Sequence, residues 1–255
     1  MPLTITSLFG IPLIQPGDNL VDLIRTALAR TGITLQDGDI LVLAQKIVSK
    51  AEGRLVNLAG VKPSERAAAL GAQIDKDTRL VELVLQESRE VLRTRPGTVI
   101  VEHRLGFVCA NAGIDHSNVA GSGNEDEEWV LLLPEDPDGS AERIRRGLEG
   151  ACGVRLGVMI IDSHGRAWRQ GTVGMAIGFS GMPGLVDLRG TPDLFEYTLR
   201  ITQVGAADEL AAAASLLMGQ AAEGTPVVHV RGFPYPLREG SFMELLRPRE
   251  QDLFR

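Results

Sequence analysis

Apolar and polar positions along the chain mark out a series of short elements. Residues 4–9 read as a first strand that ends in the turn Gly10-Ile11-Pro12. Leu20, Leu23, Ile24, Ala27 and Leu28 then recur with a helical period, with Asp18 or Asn19 as N-cap and Gly32 as stop. Ile40–Ala44 is an unbroken apolar run after the turn Gln36-Asp37-Gly38-Asp39, the mark of a strand buried on both faces. This strand is expected to run on, extended, through residues 45–50. Residues 64–75 and 77–92 read as helical. Asp77 caps the second half, and Leu80, Val81, Val84, Leu85 and Val91 form its apolar face. Short strands are predicted at 98–102, 106–110, 156–161, 173–178, 184–188 and 226–230. A loop at 111–125 and helices at about 140–151 and 205–221 complete the pattern. Strands and helices mix without regular βαβ alternation, so the predicted class is α+β, mixed sheets with flanking helices.

Composition narrows the function more than the fold. The 255 residues carry 26 Lys+Arg against 33 Asp+Glu, a net charge of −7. That balance excludes an extended basic footprint for nucleic acid or an anionic membrane surface. It leaves room for a local anion site. The only lysines are Lys46, Lys50, Lys62 and Lys76, and the first two fall in one short segment. No apolar run reaches the roughly 18 residues of a membrane span, and the N-terminus lacks a signal-peptide pattern, so a cytoplasmic protein is expected. Cys109 and Cys152 are too few for a disulfide framework and are expected to be reduced core residues.

Three predicted strand ends deliver polar residues, the usual place for ligand groups. They are the segment with Lys46 and Lys50, the stretch Ala110 to Asn118, and Asp162-Ser163-His164-Gly165-Arg166. Asp115 and Asp162 could share a hard divalent cation, with Asn118 and Ser163 adding neutral oxygens and Gly113 permitting close backbone approach. The alternative is that each aspartate only caps a turn. Lys46 and Lys50, four apart, would share one face of an extended strand and reach one anion, or else stand as two solvated surface lysines. Histidines 116 and 164 flank the two aspartates and could contact substrate. The chain has no Gly-Lys dipeptide and hence no phosphate loop. Gly121-Ser122-Gly123 lacks the third glycine of a dinucleotide fingerprint. Histidine spacing fits no zinc site, and there is no G-x-S-x-G elbow.

Several segments, in order, resemble the coenzyme F420:γ-glutamyl ligases. They are Gly10-Ile-Pro-Leu-Ile14, the stretch from Asp37 to Arg54, Ala110 to Val119, Asp162 to Arg169, Asp187 to Gly190, and Met218 to Arg231. The resemblance implies one ligase unit over 1–255, divisible into two subdomains and without the C-terminal nitroreductase-like domain of some members. It also implies the family-specific ligase fold, an intertwined homodimer and a GTP groove at or near the dimer interface. The implied reaction adds L-glutamate to the coenzyme F420 precursor with GTP. Two Mg²⁺ or Mn²⁺ ions are implied, with K⁺ as a further cation. Carried over by position, Ile11, Pro12, Leu13, Ile14, Gln45, Lys46, Lys50 and Asn118 fall on GTP-contacting positions. So does the run Met218, Gly219, Gln220, Ala221, Ala222, Glu223, Gly224 and Thr225. Asp115, Asp162, Ser163 and Gln220 fall on metal positions, and Asp115, Asp162 and Lys50 are the expected catalytic groups. Gln220 stands where the family often has a carboxylate, and Ser163 where Thr is frequent. Arg166, Arg169 and Arg189 are candidates for gripping carboxylates or a phosphodiester, with structural ion pairs as the alternative. A non-catalytic GTP-binding module and a metal-dependent phosphohydrolase are the competing readings.

Overall fold

The protein is described by a computed structural model covering residues 2–119 and 128–253, so Gly121-Ser122-Gly123 lies outside the described residues. The chain opens with β1 (Thr4–Ser7) and α1 (Leu20–Thr31). Asn19 caps α1, its side-chain oxygen accepting from the backbone N–H of Val21 and Asp22, and Gly32 ends it in a left-handed conformation. Next come β2 (Ile40–Ala44), α2 (Gln45–Ala51) and β3 (Leu55–Asn57). Two helices, α3 (Glu65–Ile74) and α4 (Thr78–Gln86), lead to β4 (Ser88–Arg95), β5 (Thr98–His103) and β6 (Val108–Ala110). Then follow β7 (Trp129–Leu131), α5 (Pro137–Cys152), β8 (Gly157–Arg166) and β9 (Arg169–Ser180). The chain closes through β10 (Val186–Asp187), β11 (Gln203–Val204), α6 (Ala206–Met218) and β12 (Val227–Arg231).

The main sheet has the order β1-β12-β2-β8-β9, with β2 and β8 parallel and the other neighbours antiparallel. A separate sheet, β4-β5-β6, and the two-stranded pairs β3-β7 and β10-β11 complete an α+β architecture. Ile40, Leu41, Val42 and Leu43 are all fully buried, as expected of a strand covered on both faces at the centre of the sheet. A second apolar cluster gathers Leu58, Leu80, Leu83, Val130 and Leu132 under β3 and β7.

Several local expectations are corrected. Residues 45–50 do not stay extended: Gln45–Ala51 coils into α2 and buries Gln45, Ile47, Val48 and Ser49. The β-branched residues there suit a strand, but tertiary burial of one helical stripe outweighs that preference. The helix from Asp77 stops at Gln86, and Val91 lies on β4, opposite Val101 of β5. A helical period and an alternating one are alike over so short a stretch, and a distant partner strand decides between them. Residues 162–166 do not follow the strand expected at 156–161 but belong to β8 itself, which pairs with β9 out to Arg166 and Arg169. Residues 173–178 are the middle of the long β9, and the strand near 184–188 shrinks to Val186–Asp187. Among the cysteines, Cys109 is buried, whereas Cys152 is exposed at the end of α5. No helix among the described residues is long and apolar enough to cross a membrane.

Candidate active site

Register places the candidate residues. Parallel pairing sets Ala44 beside Ile161, so the chain leaves β2 at Gln45 where β8 reaches Asp162. Antiparallel pairing of β12 sets Val227 against Leu43, and the Ala44 N–H donates to Pro226 O. The Leu8 N–H donates to Val227 O, which brings the end of β1 to the same edge. Segments 9–15, 45–50, 162–164 and 218–226 therefore meet at one margin of the main sheet. Ends of parallel strands in an open sheet are where ligand sites are commonly built.

Asp115 joins this margin from outside the sheet. It exchanges backbone hydrogen bonds with Leu131, 3.0 and 2.9 Å long, which fixes it beside β7. Its Oδ2 accepts from Gln45 Nε2 at 2.6 Å and lies 2.7 Å from Lys46 Nζ. Gln45 is fully buried, and its Oε1 accepts from Ser49 Oγ at 2.8 Å, so both ends of this amide are held within the protein. Lys46 also donates to the carbonyl and hydroxyl of Ser117. One helical turn on, Lys50 donates to Asn118 O at 2.7 Å, and Asn118 Nδ2 donates to Ala221 O at 3.0 Å. The two lysines do share a face, through the i,i+4 spacing of α2 rather than strand alternation. Asn118 has a left-handed backbone, φ 56°, a conformation Asn tolerates better than most side chains. Burial lowers the Lys50 pKa, and the charge of Lys46 adds to that effect.

Asp162 faces Asp115 electrostatically across this margin. Burial, and then the charge of Asp162, raise the Asp115 pKa, partly offset by Lys46 and Gln45. Burial also pushes Asp162 upward, but His164, whose Nε2 lies 3.0 Å from Asp162 Oδ2, leaves its pKa lowered on balance. Ser163 points to the other side of the strand, as alternation requires, and donates from Oγ to Gln220 Oε1 at 2.8 Å. The expected metal residues thus fall into two pairs: Asp115 and Asp162, coupled by charge, and Ser163 and Gln220, hydrogen-bonded on the opposite side of β8. Among the described residues no three His, Cys, Asp or Glu side chains form a ready metal cluster. The donor set is instead two mutually repelling carboxylates plus neutral oxygens, which suits Mg²⁺ or Mn²⁺.

Other candidates are placed as follows. Leu13 is strongly exposed, Pro12 exposed and Ile11 half-buried, whereas Ile14 belongs to the core. Met218 is buried at the end of α6, and Thr225 Oγ1 donates to Leu217 O and Met218 O. Glu223 Oε2 accepts from the Ala221 N–H, so this carboxylate braces its own turn. Gly219, Gln220, Ala221, Ala222 and Gly224 form the connection from α6 towards β12. Gly113 does serve a close approach, but to Leu133: a Cβ there would lie 2.8 Å from Leu133 Cδ1. Arg189 is engaged by Asp187 through two near-parallel contacts, Nε to Oδ1 at 2.9 Å and Nη2 to Oδ2 at 2.5 Å. His116 and Arg169 are exposed, and Arg166 reaches Gln170 O at 3.4 Å. Sequence reasoning missed Ser49 and Ser117, which hold Gln45 and Lys46. Only the helical spacing of Gln45 and Ser49 could have hinted at the first.

The chain is similar to known proteins along almost its whole length. The profile of the F420-0:gamma-glutamyl ligase family matches residues 9–232. A coenzyme F420:L-glutamate ligase of Methanothermobacter thermautotrophicus is 48% identical over 257 residues, covering 100% of both chains. Proteins of the same name from Archaeoglobus fulgidus and Methanopyrus kandleri are 45% and 44% identical, covering 96% and 95% of this chain and 94% and 93% of their own. The chain belongs to the F420-0:gamma-glutamyl ligase family.

Proposed function

We propose that this protein is a GTP-dependent ligase that joins L-glutamate to the coenzyme F420 precursor, F420-0 and then F420-1. A carboxylate does not condense with an amine in water unaided. Transfer of the γ-phosphoryl group of GTP to the precursor's carboxylate would give an acyl phosphate. Attack by the glutamate amine then forms the amide and releases phosphate, with GDP as the other product. The observation that carries this reading is the meeting of Lys46, Lys50, Asp115 and Asp162 at one sheet margin in a chain of this family.

Each group has a task in that scheme. Asp115 and Asp162 would hold Mg²⁺ or Mn²⁺, and Ser163 with Gln220 on the opposite side of β8 would supply further oxygen ligands; when bound, the metal would neutralise phosphate charge. Lys46 and Lys50 lie side by side on α2 and supply positive charge toward the same region, which favours an anionic nucleotide. Gln45 keeps the Asp115 carboxylate oriented. The exposed turn at Leu13 and the 219–225 connection border the margin and would contact the nucleotide through backbone and apolar surface. A homodimer with the nucleotide groove near its interface is part of the proposal, as is a cytoplasmic location.

The test is mass spectrometry of the product formed by purified protein with F420-0, L-glutamate, GTP and Mn²⁺. Addition of one or more glutamyl units with matching GDP release supports the ligase. Phosphate release without glutamate would favour a phosphohydrolase. Nucleotide binding with no turnover would leave a GTP-binding module.

A further inference from the structure

The Asp162 carboxylate is held by a buried aromatic stack that the proposed reaction does not use directly. His164 follows Asp162 by two residues on β8, so both side chains project from the same side of the strand. Its Nε2 stands 3.0 Å from Asp162 Oδ2, and the two side chains are only 7% and 11% exposed. An ionised carboxylate can only accept a hydrogen bond, so Nε2 is the donor in this contact.

The imidazole is itself fixed from behind. Phe107 packs on His164 with ring centroids 5.1 Å apart and on His103 at the same separation. Phe242 meets Phe107 edge-on at 5.6 Å. His103 is fully buried and Phe107 nearly so, which leaves the stack little freedom to turn. A ring packed against a fixed aromatic neighbour holds its hydrogen-bond partner in one orientation, the condition for a precise ligand site.

We propose that His164 is a positioning residue that locks the Asp162 carboxylate through Oδ2 and leaves Oδ1 to a divalent cation. Gln45 does the corresponding work on Asp115 with a buried amide. The two carboxylates are then each braced by a buried hydrogen-bond donor, so their mutual repulsion does not splay them apart. Outer hydrogen bonds of this kind are commonly worth 10–100-fold in metal affinity. This inference rests on the cation site of the proposed function, and its test separates the two.

The experiment titrates Mn²⁺ into the full-length protein with GTP present and glutamate absent, reading bound Mn²⁺ by electron paramagnetic resonance. His164→Phe keeps the ring packing against Phe107 and removes the donor. It is expected to weaken Mn²⁺ binding by roughly 10-fold or more while the melting curve stays near that of the parent. His164→Gln places an amide N–H near the position of Nε2 and is expected to restore most of the affinity. If His164→Phe fails to fold, His164→Asn, whose amide is too short for the bond, replaces it as the weakened arm. Parental affinity in the donor-less variant, or no recovery with Gln, would overturn the role of His164. Unchanged Mn²⁺ affinity in Asp162→Asn would overturn the cation site itself, and with it the positioning role.

Discussion

Lys46 Nζ lies 2.7 Å from Asp115 Oδ2, an ion pair that ties the start of α2 to the segment before β7. Both side chains are about a quarter exposed, so solvent screens the pair and its contribution to folding is small. Its weight falls on the site instead. Lys46→Met is expected to change stability by less than about 1 kcal/mol. The same variant should lower GTP-dependent glutamylation by at least about 100-fold, the usual effect of removing one electrostatic stabiliser. A thermal melt and a product assay on the same preparation check both halves.

Acid sensitivity is expected to centre on Glu87. Arg54 Nη2 and Arg104 Nε donate to its two oxygens at 3.0 and 2.8 Å. Burial alone would raise this carboxyl, but His103 and the two guanidiniums hold it down at about 2. The native carboxylate thus resists a proton that the unfolded chain takes up near 4.5. Stability from this group is complete above that pH and is lost as pH falls towards 2, an effect of order 3 kcal/mol. Burial also lowers the pKa of His103, so the fold takes up this proton at lower pH than the unfolded chain, whose ordinary value is near 6.5. That effect has the same sign and begins at higher pH. Urea denaturation from pH 7 to pH 3 should show falling stability, with a shallower slope in Glu87→Gln.

A buried carboxylate closes the other end of the main sheet. Asp39 is 1% exposed and accepts from Arg231 Nε and Nη2 at 2.8 and 2.6 Å, with His229 Nε2 at 2.8 Å. Removing it would leave the Arg231 guanidinium without its main partner. Asp39→Ala is expected to cost about 3–5 kcal/mol, read as a lower urea midpoint. Arg231→Met in the same background should cost less than it does alone, because the two residues act as a unit.

Two glycines make a matched pair of tests for the packing behind the site. A Cβ at Gly174 on β9 would lie 2.5 Å from Ala211 O and 2.6 Å from Ser215 Cβ of α6. Gly174→Ala must push α6 away from the sheet, at a cost of about 1–3 kcal/mol. Gln220 follows the end of that helix by two residues, so activity should fall along with stability. Gly150, on α5, has nothing within 4 Å of an added Cβ. Gly150→Ala is expected to stabilise the protein by about 0.4–1 kcal/mol and leave activity alone.

Local signals in the sequence were strong wherever burial and chain chemistry agreed. Asn19 and Gly32 bound α1 as cap and stop, and Ile40–Ala44 is the central strand its unbroken apolar run implies. The ordered family motifs likewise named the candidate residues before any geometry was known. What the sequence could not determine was which segments become neighbours. Val91 fits the helical period read over 77–92, yet Ser88–Arg95 is a strand because β5 lies beside it, and residues 162–166 are a strand because β9 pairs with them. Long-range pairing also set the site. The alignment of Ala44 with Ile161 carries Gln45 and Lys46 to the level of Asp162, and the helix that begins there turns Lys50 to the same side. Residue types and spacing determined which groups were available. Register and burial decided which of them meet, because hydrogen-bond ladders and packing link positions that no local period connects.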